Sequence, residues 1–362
     1  MLAAAWARLV PTTWACCWRN GRLHSDRNRP TRPTTSASSM STAPAVGGNF
    51  LSFRPTCHPE RHTRKVNSPA PSLGASSALW RPGCCATSGG SWSSTPAVAS
   101  FHWRPGTTLG ASPSFAAAAV CAYLAAVLLL HRRILPLPSL PPRALRAVSA
   151  LHNCVLLAVS AAMAAGCALS AAATAPSPRW VFCFPPGATE PSGPVFFWAH
   201  VFYLSKVYEL GDTLLILLAR RPLTLLHVYH HAVVIAMCYL WLAARQSLMP
   251  VALVTNAAVH LVMYSYYLCC TLGLRWPPRW KRAVTELQIA QFLFSFAASV
   301  VMLWFHFAAG GCEGMAGWAF NAVFNASLLA LFLDFHGAAY DAAAKAKPNN
   351  KRNINHGGQK SE

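Results

Sequence analysis

Seven long apolar stretches dominate the 362-residue sequence between about residue 112 and residue 336. Each approaches the roughly 20 mainly apolar residues that a helix needs to cross a bilayer. Only 11% of the residues are charged, whereas soluble domains average about 25%. We therefore predict an all-α membrane protein with seven transmembrane helices, over residues 112–130, 150–174, 195–218, 227–244, 250–273, 284–308 and 317–336.

The chain outside these spans divides into two tails. Residues 1–100 are rich in Ser, Pro, Thr and Arg and contain no periodic apolar segment. They are predicted to be a disordered tail or the product of an incorrectly assigned start of translation, although an Arg- and Ser-rich, acid-poor start is also typical of organelle transit peptides. The seven-helix domain is assigned to residues 101–340, and residues 341–362 to a basic cytosolic tail.

Basic residues alternate along the connections between the spans. The six connections carry four, one, two, one, four and no Lys or Arg residues, and four more follow the last span. The positive-inside rule then predicts that the basic connections and the C-terminus face the cytosol. Cys183 and Cys312 fall in predicted lumenal loops, where oxidation is possible. We predict that they form a disulfide; the alternative is two unrelated loop cysteines.

Four consecutive spans each carry one polar stripe at helical spacing. Ionisable groups inside a membrane are costly and usually face the interior of a bundle. The predicted orientation places these stripes in the cytosolic half of the bundle, where a charged soluble substrate could meet an apolar interior. The stripes are Lys206, Glu209, Asp212 and Thr213; His227, His230 and His231; Asn256, His260, Tyr264 and Tyr267; and Thr285, Gln288 and Gln291.

The histidine cluster is compatible with two kinds of chemistry. Imidazoles at i, i+3 and i+4 share a helix face and suit metal ligation, but they suit acid–base or nucleophilic work equally well. Membrane diiron oxidases use several histidine boxes, and this chain has one. For Gln288, Gln291 and Tyr267 a structural role in hydrogen bonds between helices is the competing interpretation.

Four motifs, in this order, carry a resemblance to a known family. They are Lys206-Val-Tyr-Glu209-Leu-Gly-Asp212-Thr213, His227-Val-Tyr-His230-His231, Asn256-Ala-Ala-Val-His260-Leu-Val-Met263-Tyr264-Ser-Tyr266-Tyr267 and Thr285-Glu-Leu-Gln288-Ile-Ala-Gln291. Together they resemble the ELO family of very-long-chain fatty acid elongases over roughly residues 100–340, with some features most similar to plant members. One departure is Asp334-Phe335-His336, where many members carry Asn-Phe-Tyr.

The resemblance implies a 3-oxoacyl-CoA synthase that joins malonyl-CoA to a long-chain acyl-CoA with loss of carbon dioxide. It implies six helices in a barrel around an acyl tunnel, and no metal or cofactor. His230 would attack the acyl thioester, His260 would assist condensation, and His227 and His231 would orient the nucleophile. Asn256, Tyr264 and Gln288 are further candidates that would bind near the thioester. Lys206 and the basic loops would bind the CoA phosphates. The remaining candidates for substrate binding are Glu209, Asp212, Tyr267 and Gln291.

The same resemblance implies residence in the endoplasmic reticulum membrane and a role in very-long-chain fatty acid and sphingolipid synthesis. Partners would be membrane lipid, other enzymes of the elongation cycle and a second copy in a homodimer; no nucleic-acid partner is expected. Two alternatives are a diiron membrane oxidase or hydroxylase and a non-enzymatic seven-helix receptor or transporter. Bound iron and oxygen dependence would mark the first, and inactivity of the purified protein toward acyl-CoA and malonyl-CoA the second.

Overall fold

The computed structural model describes residues 95–341, apart from residues 133 and 275. Most of the predicted N-terminal tail, and the basic tail from residue 342 onward, therefore lie outside the described residues. A 3₁₀ turn spans Pro178–Val181 and a π-helical turn spans Gly337–Asp341. The α-helices are α1 Pro96–Ala99, α2 Pro113–His131, α3 Pro142–Thr174, α4 Gly193–Tyr208, α5 Gly211–Leu218, α6 Leu225–Ala243, α7 Met249–Thr271, α8 Pro278–Ala308 and α9 Met315–His336.

Among the described residues, six helices (α2, α3, α6, α7, α8 and α9) are long and apolar enough to cross a membrane. The predicted all-α membrane class is therefore confirmed. The third predicted span, 195–218, is wrong as one continuous helix, because it is divided into α4 and α5. At the division, the amide of Asp212 donates to the carbonyl of Glu209 at 3.0 Å, and that of Thr213 to the carbonyl of Leu210 at 3.1 Å. These i to i+3 bonds tighten the chain into a turn between the two helices.

Local sequence determines where several helices begin. Ser112 and Thr224 cap α2 and α6 by accepting bonds from the amides three residues later. Proline at the first position starts α3 at Pro142 rather than at residue 150, and α8 at Pro278 rather than at residue 284. The two predicted boundaries were late because the first turns of these helices are polar, and an apolar window misses them.

Helices α3, α4, α6, α7, α8 and α9 close into a ring. Helix α3 packs against α4, α4 against α6, α6 against α9, α9 against α8, α8 against α7, and α7 against α3. Helix α2 packs against α6 and α5. The predicted arrangement of six helices is thus observed, with the broken helix α4 as one member of the ring.

One end of the bundle is closed by three loops. A disulfide joins Cys183 to Cys312 with their Cα atoms 5.1 Å apart. The hydroxyl of Ser247 donates to the backbone carbonyl of Glu313 at 2.8 Å, and Arg245 pairs with the carboxylate of Glu313 at 3.0 Å. These contacts tie together the loops before α4, before α7 and before α9.

Within the described residues, helix α1 precedes residue 101, where the seven-helix domain was predicted to begin. Helix α1 packs against α4, and Trp103 is buried in the main apolar core. The backbone of His102 also forms an isolated antiparallel bridge with Ser192. A four-residue helix carries too little apolar periodicity to be seen in the sequence, so its contacts with α4 were not expected.

Candidate functional site

A buried ionic cluster lies between α4 and α7. The ammonium of Lys206 donates to Oε1 of Glu209 at 2.7 Å, to Nδ1 of His260 at 3.3 Å and to Oδ1 of Asn256 at 3.4 Å. Nδ1 of His260 also lies 3.4 Å from Oε1 of Glu209. Lys206 and Glu209 are each 1% exposed, so their opposite charges compensate each other where water cannot.

A second chain of hydrogen bonds connects α3, α5 and α7. Oδ1 of Asp212 lies 3.0 Å from Nε2 of His152, and Oδ2 of Asp212 accepts a bond of 2.8 Å from the hydroxyl of Tyr264. Tyr264 in turn sets its ring edge-on to that of His260, with the centroids 5.6 Å apart. The carboxylate of Asp212 thereby fixes Tyr264 beside His260.

The break between α4 and α5 allows this contact. A Cβ atom added at Gly211 would lie 2.9 Å from Cε1 of His152. That distance is shorter than real Cβ contacts show, so a side chain at residue 211 would displace the ring of His152 from its present position beside Asp212. The turn at Gly211 therefore leaves the space in which the ring of His152 contacts Asp212.

A third contact orients the first histidine of the box. The hydroxyl of Thr213 is hydrogen-bonded to Nε2 of His227 at 2.8 Å and to the hydroxyl of Tyr123 at 3.1 Å. The backbone amide of His227 donates to the capping hydroxyl of Thr224 at 3.1 Å. Both the start of α6 and the ring of its first histidine are thus held by threonine hydroxyls.

The three histidines of the box have different surroundings. The ring of His231 is buried, lies with its centroid 4.3 Å from that of His227, and leaves Nδ1 without a partner. His230 stacks against Phe324 of α9, with the centroids 6.4 Å apart. His230 is half-buried and is the histidine of the box that borders a cavity.

This cavity lies inside the helix ring, between α4, α6, α7, α8 and α9. It contains His230 and Asn256 at its wall together with apolar residues, and it extends along α6 as far as Trp241. His260 is not at the wall, but Asn256, one helical turn away, joins the wall to the Lys206–Glu209–His260 cluster. The lining residues are Phe202, His230, Val234, Met237, Trp241, Ala252, Thr255, Asn256, Gln291, Phe292, Ser295, Asn321, Phe324, Asn325 and Leu328.

Several predicted site residues make contacts that differ from those expected for their predicted roles. Lys206 is buried in its ion pair, which argues against the expectation that it contacts CoA phosphates. Gln288 does not line the cavity, and its amide nitrogen donates to Sδ of Met263 at 3.3 Å. Tyr267 packs its ring on that of Tyr264, with the centroids 5.9 Å apart. Gln291 does line the cavity.

Two residues of the site were missed in the sequence. His152 and Tyr123 belong to α3 and α2, outside the four motifs. The available signal for His152 was the polar set Ser149, His152, Asn153 and Ser160 at helical spacing within a mainly apolar span, since polar residues within a membrane usually have a role.

Within the described residues of 95–341, no group of three or more His, Cys, Asp or Glu side chains is arranged to hold a metal ion. Two histidine ring nitrogens of the site face protein groups. Nε2 of His227 faces Thr213, and Nδ1 of His260 faces Lys206 and Glu209.

The fold and the site together define a multi-pass membrane protein with a histidine-bordered cavity inside its helix ring. Residues 108–349 match the family described as ELO, the GNS1/SUR4 family, and the chain belongs to that family.

Relatives of this chain come from plants, amoebae and animals. The sequence is 29% identical to "Fatty acid elongase 3-like" from Arabidopsis thaliana, over 67% of this chain and 88% of that protein. It is 31% identical to "Fatty acid elongase sre1" from Dictyostelium discoideum, over 58% and 76% of the two chains. It is 34% identical to "Long chain fatty acid elongase 1" from Caenorhabditis elegans, over 43% and 57%.

Proposed function

We propose that the protein is the condensing enzyme of fatty acid elongation, a very-long-chain 3-oxoacyl-CoA synthase. It would join malonyl-CoA to a long-chain acyl-CoA and release carbon dioxide and free CoA. The observation that carries this proposal is the position of His230, which borders a cavity inside the helix ring that is lined by both apolar and polar side chains. Membership of a family whose relatives are named fatty acid elongases supports the same conclusion.

His230 is proposed as the nucleophile. Among the hydrogen bonds of the described residues 95–341, none involves its ring, whereas His227 and His260 are held by neighbouring side chains. A free imidazole nitrogen at the cavity wall can attack the carbonyl carbon of an acyl thioester. The carbon–sulfur bond breaks, CoA leaves as the thiolate, and the acyl group remains on the histidine nitrogen as an acyl-imidazole that still carries the proton on its other ring nitrogen.

The second half of the reaction would use malonyl-CoA. Loss of carbon dioxide leaves the electron pair on the α-carbon, and this carbon attacks the acyl-imidazole carbonyl. A carbon–carbon bond forms, the carbon–nitrogen bond breaks, and His230 is released with the 3-oxoacyl-CoA product. Asn256 at the cavity wall is the proposed donor to the developing oxyanion.

The ionic cluster is proposed to support this step from behind the wall. Lys206 and Glu209 hold His260 next to Asn256, and Asp212 holds Tyr264 next to His260. His260 would then exchange a proton with the malonyl group or with the departing CoA when substrate enters. His227 and His231 are proposed to orient His230 by packing along the same helix face.

The proposed location is the endoplasmic reticulum membrane, with the C-terminus in the cytosol. The alternation of basic connections supports this sidedness, and the disulfide-linked end would then face the oxidising lumen. Acyl-CoA and malonyl-CoA would enter from the cytosolic side. Membrane lipid, the reductases and dehydratase of the elongation cycle, and a second copy of the chain are the proposed partners, and sphingolipid synthesis is a proposed use of the product.

The proposal is tested by expression in elongase-deficient yeast. Microsomes that contain the full chain should incorporate labelled malonyl-CoA into longer acyl chains, and fatty acid profiles should shift to longer species. His230→Ala should abolish incorporation while the protein still inserts. With acyl-CoA alone, a peptide containing acylated His230 should be detected by mass spectrometry.

A matched control is His131→Ala, since His131 is an exposed residue at the end of α2. This variant should retain the native rate. Incorporation that survives in His230→Ala would overturn the assignment of the nucleophile. Absence of incorporation by the native chain, with every saturated primer from medium to very long length, would overturn the proposed function itself.

A further inference from the structure

The cavity wall contains a patch of polar side chains among its apolar residues. Thr255, Ser295 and Asn325 belong to this patch, as do Trp241 and Asn321. We refer to these five residues as the polar band. A hydrocarbon chain gains nothing from amide and hydroxyl groups in its path, because polar groups that lose water without finding a partner are destabilising.

Most members of the polar band have partners within the protein. The hydroxyl of Thr255 donates to the carbonyl of Val251 at 2.8 Å. The amide nitrogen of Asn325 donates to the hydroxyl of Ser295 at 3.0 Å. These groups are therefore compatible with a plain hydrocarbon chain.

Two members of the band are not satisfied in this way. Nε1 of Trp241 and Oδ1 of Asn321 are buried and have no hydrogen-bond partner among the described residues. The two residues are 3% and 5% exposed. One orphan group is a donor and the other is an acceptor, and both residues line the same cavity. Buried polar atoms of this kind usually indicate a missing partner.

Helix register places these two residues at a similar level, beyond His230. Helices α6 and α9 run antiparallel, with Gly317 against the carbonyl of Leu240 and Phe324 against His230. Asn321 therefore lies between these levels, opposite the turn that contains Met237. At 1.5 Å per residue, Met237 is about 10 Å along α6 from His230. The side chain of Trp241 leans back toward the start of α6 and so toward the same level.

We propose that this cavity accepts an acyl chain that carries a hydroxyl group in its interior. A hydroxyl both donates and accepts, so one such group can serve Asn321 and Trp241 together. A carbonyl could only accept, and a double bond would do neither. In an extended acyl chain, a distance of about 10 Å spans roughly eight bonds. The hydroxyl would therefore lie roughly eight bonds from the carbonyl carbon. This inference rests on the proposed function, because it assumes that the cavity holds the acyl chain of the primer.

The test compares two primers with the full-length chain in microsomes. One is stearoyl-CoA, and the other is stearoyl-CoA with a hydroxyl on a carbon near the middle of the chain. The native protein should use the hydroxylated primer about fivefold more efficiently, as one net hydrogen bond predicts. A primer hydroxylated next to the carbonyl should gain nothing.

Trp241→Phe removes the orphan donor and keeps an aromatic ring stacked on Phe202. It should bring the ratio of the two rates close to one, as should Asn321→Leu. Trp198→Phe is the matched control, because Nε1 of Trp198 is also buried without a partner but Trp198 packs against Gly166 and does not line the cavity. It should leave the ratio unchanged.

Equal use of the two primers by the native protein would overturn the inference, and so would a preference that survives both Trp241→Phe and Asn321→Leu. If no primer is elongated, the proposed function fails. The preference for a hydroxylated chain is then tested separately, by measuring binding. Non-reactive thioether analogues of the two primers would be added to the purified full chain in detergent. A larger rise in unfolding temperature with the hydroxylated analogue supports the inference, and equal rises refute it.

Discussion

Nε2 of His152 lies 3.0 Å from Oδ1 of Asp212, although 60 residues separate them in the sequence. The other carboxylate oxygen accepts the hydroxyl of Tyr264. The contact joins a residue that no motif contains to two motifs on different helices, so α3 takes part in shaping the site. His152 is a positioning residue in this arrangement, since it acts through Asp212 and Tyr264.

His152→Ala should remove one of the two partners of Asp212. Asp212 is only partly buried, so loss of this hydrogen bond should cost about 1 kcal/mol, and thermal unfolding in detergent should occur at a lower temperature. The elongation rate should fall, and His152→Gln, which can still donate to Asp212, should recover part of it. A rate and unfolding temperature equal to those of the native chain would show that the contact has no effect.

Gly211→Ala should destabilise the protein because the new Cβ would lie 2.9 Å from Cε1 of His152. Such crowding typically costs about 1–3 kcal/mol. The double variant Gly211→Ala/His152→Ala removes the crowding and should lose less stability than the sum of the two single variants. Additive losses in this cycle, measured by denaturation of the purified chain, would contradict the proposed close packing.

Thr213→Val should release the ring of His227, because it replaces the hydroxyl that bonds both His227 and Tyr123 with a methyl group. We expect a lower elongation rate at nearly unchanged expression. Thr174→Val is the control, since Thr174 lies at the end of α3 and bonds only the carbonyl of Ser170. Equal rates for the two variants would argue against a role for the Thr213 contact.

Lys206→Met should be strongly destabilising, because it leaves the carboxylate of Glu209 buried without its partner. Breaking a buried pair from one side costs about 3–5 kcal/mol. The double variant Lys206→Met/Glu209→Gln removes both charges and should recover much of the lost unfolding temperature. A single variant as stable as the double variant would show that the pair does not compensate two charges.

Cys183→Ser should lower the unfolding temperature by removing a disulfide that closes a sequence separation of 129 residues. Chain-entropy arguments give about 4–5 kcal/mol for loops of this order, with wide scatter. Cys121→Ser, at an exposed free cysteine, is the control. Mass mapping without reductant should detect the linked peptides, and two free thiols at Cys183 and Cys312 would refute the link.

Helical periodicity was sufficient to predict that the polar stripes face the interior of the bundle. Lys206, Glu209, Asn256 and His260 fall on the inner faces of two spans, and they do share one cluster. The break before Gly211 was not predicted, because hydropathy averages over a turn of two residues. The roles of Lys206 and Gln288 could not be foreseen either, since a stripe gives the direction of a side chain but not the partner it meets.

The ion pair between Lys206 and Glu209 lies within one short segment of chain, three residues apart. His260, which completes the cluster, follows 54 residues after Lys206. During synthesis, α4 can therefore enter the bilayer as an electrically balanced unit, well before α7 has left the ribosome. A lysine whose only partner lay on a later helix would remain unpaired in the bilayer until that helix was inserted. The order of residues thus protects the insertion of the segment on which the site is later assembled.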